Sequence, residues 1–230
     1  MIIAKNLYRS YGRKTYLKNV SIHLERGCAL AVVGENGAGK TTLLRLLATV
    51  TKPESGNLLI GGIDAVADPA RARERIGYVP QGIALMQELS VGDNLRYWME
   101  GKDTARFEET LAVIGLEDVK NKRVSKLSGG MQRRLNIGAS LITAPKVLIL
   151  DEPLAGVDSA NRRRIIAHLA ALKQSGVTIV FTSHYIDEMQ VLADSMIALR
   201  TGKTTYYGSA DFSEEKQFSD LSAAVRYYTS

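Results

Sequence analysis

Apolar residues gather along the chain in three short blocks that read as buried strands, at 28–33, 147–150 and 177–181. Each is apolar on both faces, the pattern of a central strand in a parallel sheet covered by helices. Each is followed by a turn and then by apolar positions at helical spacing. A glycine-rich turn leads to a helix over 41–50. Pro153 and Gly156 lead to a helix over 161–173, where Ile165, Leu169 and Leu172 share a face. A third helix is predicted over 183–193. Three strand–turn–helix units define a doubly wound α/β fold. Two stretches depart from this rhythm. Within residues 1–26, Val20, Ile22 and Leu24 alternate with Ser21, His23 and Glu25, which predicts an antiparallel strand with one wet face. Residues 86–143 hold no strand pattern but three helical ones, at 91–100, 105–114 and 131–143, with Gly101 and Gly115 as stops. The expected organisation is one domain over 1–230. Residues 1–85 and 144–208 form the core with a β subdomain, 86–143 an inserted helical subdomain, and 209–230 a polar tail.

Candidate chemistry lies in the turns. Residues 34–41 read Gly-Glu-Asn-Gly-Ala-Gly-Lys-Thr, a complete phosphate-loop motif between a buried strand and a helix. Gly34, Gly37 and Gly39, with Asn36 and Ala38 between them, let backbone N–H groups point inward around an anion. The start of the helix adds its positive dipole end. Lys40 supplies a mobile charge for the phosphates, Thr41 a hydroxyl for Mg²⁺, and Thr42 a further donor. The second strand ends in Asp151-Glu152, at the edge where open α/β sheets bind ligands. Asp151 is placed to hold the metal, and Glu152 to take a proton from attacking water. His184 ends the third strand at the same edge.

Composition narrows the setting. The chain has 230 residues, long enough to bury a core without staples, and its single cysteine, Cys28, forms no internal disulfide. No apolar run approaches the ~18 residues that cross a bilayer, and no secretion signal is visible. Lys plus Arg exceed Asp plus Glu by 30 to 24. The clusters Arg71/Arg73/Arg75, Lys120/Lys122/Arg123, Arg133/Arg134 and Arg162/Arg163/Arg164 read as solvated helix faces. His23 and His168 read as surface residues.

Leu127-Ser-Gly-Gly-Met131 precedes a helix and settles the class. With the motifs above, in this order, the chain resembles the nucleotide-binding subunit of an ATP-binding cassette (ABC) transporter over about residues 1–208. The resemblance implies an α/β P-loop NTPase (RecA-like) core with a mixed sheet, an N-terminal antiparallel β subdomain and an inserted helical subdomain. It also implies ATP and Mg²⁺ as ligands. It makes Tyr11 the adenine-stacking residue, Gln81 the sensor of Mg²⁺ and water, His184 the switch histidine and Asp158 an interface residue. Ser128, Gly129 and Gly130 would serve the nucleotide of a partner cassette, since these subunits pair head to tail. Met131 departs from the glutamine common at that position.

The expectation is therefore an ATPase motor that works as a homodimer and drives a permease on a separate chain. The likeness is strongest to exporter-type subunits. The motor would sit on the cytoplasmic face of the membrane, with Leu85, Met86, Leu89, Tyr97 and Trp98 as apolar surface for the permease. Residues after 208 leave no room for the regulatory domain of sugar-importer ATPases. No nucleic-acid partner is expected; the alternatives are a soluble ABC ATPase on ribosomes or DNA and a cassette that binds nucleotide only.

Overall fold

The computed structural model describes residues 1–99, 101, 103–210 and 220–229. Glu100, Lys102, residues 211–219 of the expected tail and Ser230 lie outside the described residues.

The three apolar blocks become β3 (Ala29–Val33), β7 (Val147–Leu150) and β8 (Thr178–Phe181), buried at every position. They occupy the middle of a six-stranded sheet with β6 (Ile76–Val79), β9 (Ser195–Arg200) and β10 (Lys203–Ser209), in the order β10-β9-β3-β8-β7-β6. Every pairing is parallel except β10 with β9, so the sheet is mixed. A second sheet, β2-β1-β4-β5, is antiparallel throughout. It holds β1 (Ile2–Tyr11), β2 (Lys14–Leu24), β4 (Ser55–Ile60) and β5 (Ile63–Asp64). On β2, Val20, Ile22 and Leu24 are buried while Ser21 and His23 face water, as the alternation predicts.

Helix α1 (Lys40–Leu47) packs between the sheets. Its Leu43, Leu44, Leu46 and Leu47 join Ile2, Ile22 and Ile60 on one side to Leu30, Val32, Ile149 and Val180 on the other. The alternate residues Ala29, Ala31, Leu148, Leu150, Ile179 and Phe181 face a second core with α6 (Ser159–Gln174), α7 (Ile186–Leu192) and α8 (Leu221–Thr229). Burying each Leu, Ile or Phe contributes about 1.5–3 kcal/mol. A short α2 (Pro69–Arg73) precedes β6.

A third core belongs to α3 (Val91–Trp98), α4 (Thr104–Ile114) and α5 (Gly129–Leu141). It gathers Val91, Leu95, Phe107, Leu111, Ile114, Leu135 and Ile142. Local chemistry sets these helix ends. Ser90 accepts from the Asp93 N–H at 3.1 Å, and Asp103 from the Arg106 N–H at 3.0 Å. Gly115 closes α4 in the left-handed region, φ +61°. The helix starting at 91 ends at Trp98, where Met99 turns to extended backbone.

Two expectations are corrected. The basic clusters are not simply solvated. Arg134 is buried and donates to the carbonyls of Ile114 and Gly115 at the end of α4. Arg133 donates to the Gln81 and Pro80 carbonyls at 2.5 and 3.3 Å, and Arg73 Nε to Thr49 Oγ1 at 3.1 Å. A guanidinium fork suits carbonyls left over at helix ends and bends. His168 is half-buried on α6, and burial pushes its pKa down. His23 stays exposed, 2.8 Å from Glu25.

Candidate nucleotide site

Strands β3, β7 and β8 end at one edge of the sheet, and the loops that leave them build the site. Between β3 and α1, Gly34, Gly37 and Gly39 have φ of +149°, +83° and +107°. A Cβ on Gly39 would meet the Tyr16 carbonyl oxygen at 2.4 Å, and one on Gly34 the Leu199 carbonyl oxygen at 2.4 Å. Gly39 caps α1 without a side chain, so the first N–H groups of the helix face the loop. Asn36 and Gly37 are exposed, Ala38 and Thr42 buried, and Thr41 half-buried. Lys40 Nζ folds back to donate to the Gly34 and Glu35 carbonyls at 2.6 and 3.1 Å. Burial pushes its pKa down, partly offset by the charges of Glu152 and Asp151. A cavity of about 520 Å³ opens beside the loop, lined by Gly34, Asn36, Lys40 and His184, with Val225 of α8 on its wall.

Asp151 follows β7 and is 1% exposed. Thr182 Oγ1, at the end of β8, donates to Asp151 Oδ1 at 3.0 Å and accepts from the Glu152 N–H at 2.7 Å. Asp151 Oδ2 is buried with no hydrogen-bond partner, an acceptor that fits a hydrated cation. Glu152 sits at φ +50°, a left-handed backbone that costs a non-glycine residue about 1–3 kcal/mol. Its Oε1 is 2.9 Å from His184 Nε2 and its Oε2 accepts from Gln81 Nε2 at 3.5 Å. Among the described residues no group of three or more His, Cys, Asp or Glu could cage a metal. A cation here would be held by Asp151, Thr41 and Gln81 together with phosphates, the usual arrangement for Mg²⁺.

The structure thus brings Lys40, Asp151, Glu152, His184 and Gln81 to one edge. Tyr11, at the end of β1, is 39% exposed, edge-on to Tyr16 at 5.3 Å and beneath Arg9 at 4.6 Å. Ser128, Gly129 and Gly130 do not line the cavity beside residues 34–41. Ser128 caps α5, accepting from the Met131 N–H at 3.3 Å, and a Cβ on Gly130 would meet the Gly156 carbonyl at 3.0 Å. Asp158 caps α6, and hydrogen bonds from Asn161 hold its carboxyl below the usual range. Sequence reasoning missed Thr182, whose only signal is a hydroxyl at the end of a buried strand. It also missed Asn136 of α5, which with Arg133 grips the loop after Gln81. Asn136 accepts from the Ala84 N–H and donates to the Gly82 carbonyl, both at 3.2 Å.

A glycine loop on a helix N-terminus, beside an acidic strand end in a mixed sheet, defines a P-loop nucleoside triphosphatase. Comparison with known proteins narrows the class. Residues 17–155 match the family described as ABC transporter. The chain is 35% identical over 215 residues to the linearmycin resistance ATP-binding protein LnrL of Bacillus subtilis, covering 91% of this chain and 69% of that protein. It is 34% identical over 214 residues to the Fe(3+) ions import ATP-binding protein FbpC 1 of Rhizobium meliloti, covering 90% of this chain and 60% of that one. It is also similar to the dimeric structure of a post-hydrolysis state of the ATP-binding cassette MJ0796 bound to ADP and Pi. That match has a TM-score of 0.82 at 25% identity, over 92% of this chain and 99% of the other. The chain belongs to the ABC transporter family and is its ATP-binding cassette, an ATPase.

Proposed function

We propose that this chain is the ATP-hydrolysing motor of an exporter whose permease is a separate chain. The observation that carries the reading is the contact of Glu152 with His184 at 2.9 Å, at the same sheet edge as Lys40 and Asp151. Lys40 exchanges the Gly34 and Glu35 carbonyls for phosphate oxygens. Bound Mg²⁺, held by Asp151, Thr41 and Gln81, would neutralise charge on those oxygens. Glu152 takes the proton from the attacking water, and His184 orients that carboxylate. Tyr11 stacks on the adenine.

Gly34, Asn36, Gly37, Ala38, Gly39 and Thr42 complete the phosphate cradle. Ser128, Gly129 and Gly130 serve the nucleotide of a second copy, with Asp158 on the shared face. Ser128 and Gly129 are exposed, and none of the three lines the cavity beside the chain's own loop, which supports this. Tyr97 and Trp98 are 61% and 46% exposed and pack edge to face at 5.0 Å, an apolar surface suited to a permease helix. No helix among the described residues is long and apolar enough to cross a membrane. A peripheral place on the cytoplasmic face, through the permease, follows from the same reading. LnrL, a resistance protein by name, supports export.

The test is Glu152→Gln. The variant should bind ATP, lose ~10²-fold or more in turnover, and accumulate as a dimer by size exclusion in ATP. Turnover equal to the wild type would remove Glu152 as the base. Recovery of one polytopic membrane protein, at equal stoichiometry, from gently solubilised membranes would support the permease; recovery of ribosomes alone would overturn it.

A further inference from the structure

A second carboxylate lies behind the catalytic edge. Glu188 on α7 is 4% exposed, and burial pushes its carboxyl upward against the opposing pull of Ser183 and Arg162. Its Oε2 accepts from Ser183 Oγ at 2.5 Å, and the same hydroxyl accepts from the Tyr185 N–H at 2.9 Å. The turn that carries His184 is therefore pinned on both sides. Its Oε1 lies 3.6 Å from Arg162 Nε, and neither atom has a hydrogen-bond partner. Arg162 in turn donates to the Val157 carbonyl at 3.3 Å and covers the Tyr185 ring at 3.8 Å. Val157 precedes Asp158.

We propose that Glu188 and Arg162 form a positioning pair that fixes His184 against Glu152 and ties that contact to the loop carrying Asp158. This rests on the proposed roles of Glu152 and His184. The contacts close a circuit: Glu152 to His184, Ser183 to Glu188, Glu188 to Arg162, Arg162 to Val157, and back along the chain to Glu152. A shift of the Asp158 loop pulls Arg162 and, through Glu188, re-aims His184. Stability alone does not explain the pair, because a buried ion pair is often no more stabilising than apolar residues of the same size. Neither side chain faces the cavity beside the phosphate loop, so the pair acts through His184 and not on ATP.

The experiment compares the full-length chain with Glu188→Gln, Arg162→Met and the double variant, reading kcat, KM for ATP and Tm. Misplacing the switch residue predicts a kcat lower by about tenfold to a hundredfold in each single variant, with KM within about twofold. The double variant should be no slower than the worse single, since both cut one linkage. Wild-type kcat in either single variant, or additive losses in the double, would overturn the pair. If a single variant does not fold, R162M/E188L leaves no uncompensated charge; at wild-type Tm, reduced kcat supports the pair and full kcat overturns it. Glu152→Gln in the same assay separates the readings. If it hydrolyses at the wild-type rate, the assignment of the base fails. If it is inactive while Glu188→Gln is fully active, only the positioning pair fails.

Discussion

Lys40 carries a burial cost that pH should reveal. Its lowered pKa means that folding disfavours the ammonium. The cost is fully present below the folded-state pKa. As pH rises from that value toward the ordinary lysine value, the nucleotide-free fold gains stability over the unfolded chain. Lys40→Met should lack this gain and be the more stable protein at neutral pH. Urea midpoints of both proteins at pH 7 and pH 10 check it; parallel midpoints would contradict it. At this scale the sequence is readable where partners are close along the chain. The phosphate loop is eight consecutive residues, so glycine, lysine and threonine announce their joint work. Thr182 is 31 residues from Asp151, Arg162 is 26 from Glu188, and Arg133 is 52 from Gln81. Nothing in a local pattern marks such pairs, which is why the arginines read as wet faces.

Among the elements, α5 packs closely through a glycine in its middle. Gly138 lies against α3 and α4, and a Cβ there would meet Ile114 Cδ1 at 2.7 Å and Leu95 Cδ2 at 3.3 Å. Its backbone is ordinary helix, so the constraint is space alone. Gly138→Ala should cost about 1–3 kcal/mol by overpacking, despite the better helix propensity of alanine. Denaturant unfolding measures it; a more stable variant would show that Ile114 yields freely. Helices α1 and α3 to α7 and the three central strands were legible because their apolar periods are strong, whereas the five-residue α2 and α8, in what read as a polar tail, were not. Strand β9 was not. It follows α7 after only Ala193 and Asp194, with no glycine or proline between them, so its apolar run merges with the helix. Strand β10 alternates exposed and half-buried positions and carries no continuous apolar signal.

For the whole molecule, the proposal that Ser128–Gly130 serve the nucleotide of a second copy has a direct test. If each site takes its phosphate loop from one copy and its Ser-Gly-Gly turn from the other, two dead variants rescue each other. Lys40→Ala and Ser128→Arg should each be inactive alone. Mixed, they form a heterodimer with one intact site, and turnover should return to at most about half of the wild type per heterodimer. No rescue on mixing would contradict the shared site. Pairing was legible only through the family resemblance, because a single chain's periodicity describes its own core and not the face it offers another copy.

The left-handed backbone at Glu152 sets durability against activity at a single position. An asparagine tolerates that conformation more readily, and relief of the strain would harden the loop. It would also remove the carboxylate that faces His184. With Glu152 as the proposed base, the most heat-resistant form of this turn would be an inactive one. On that assignment, selection for robustness alone would erode the catalyst, and demand for turnover would keep a glutamate there.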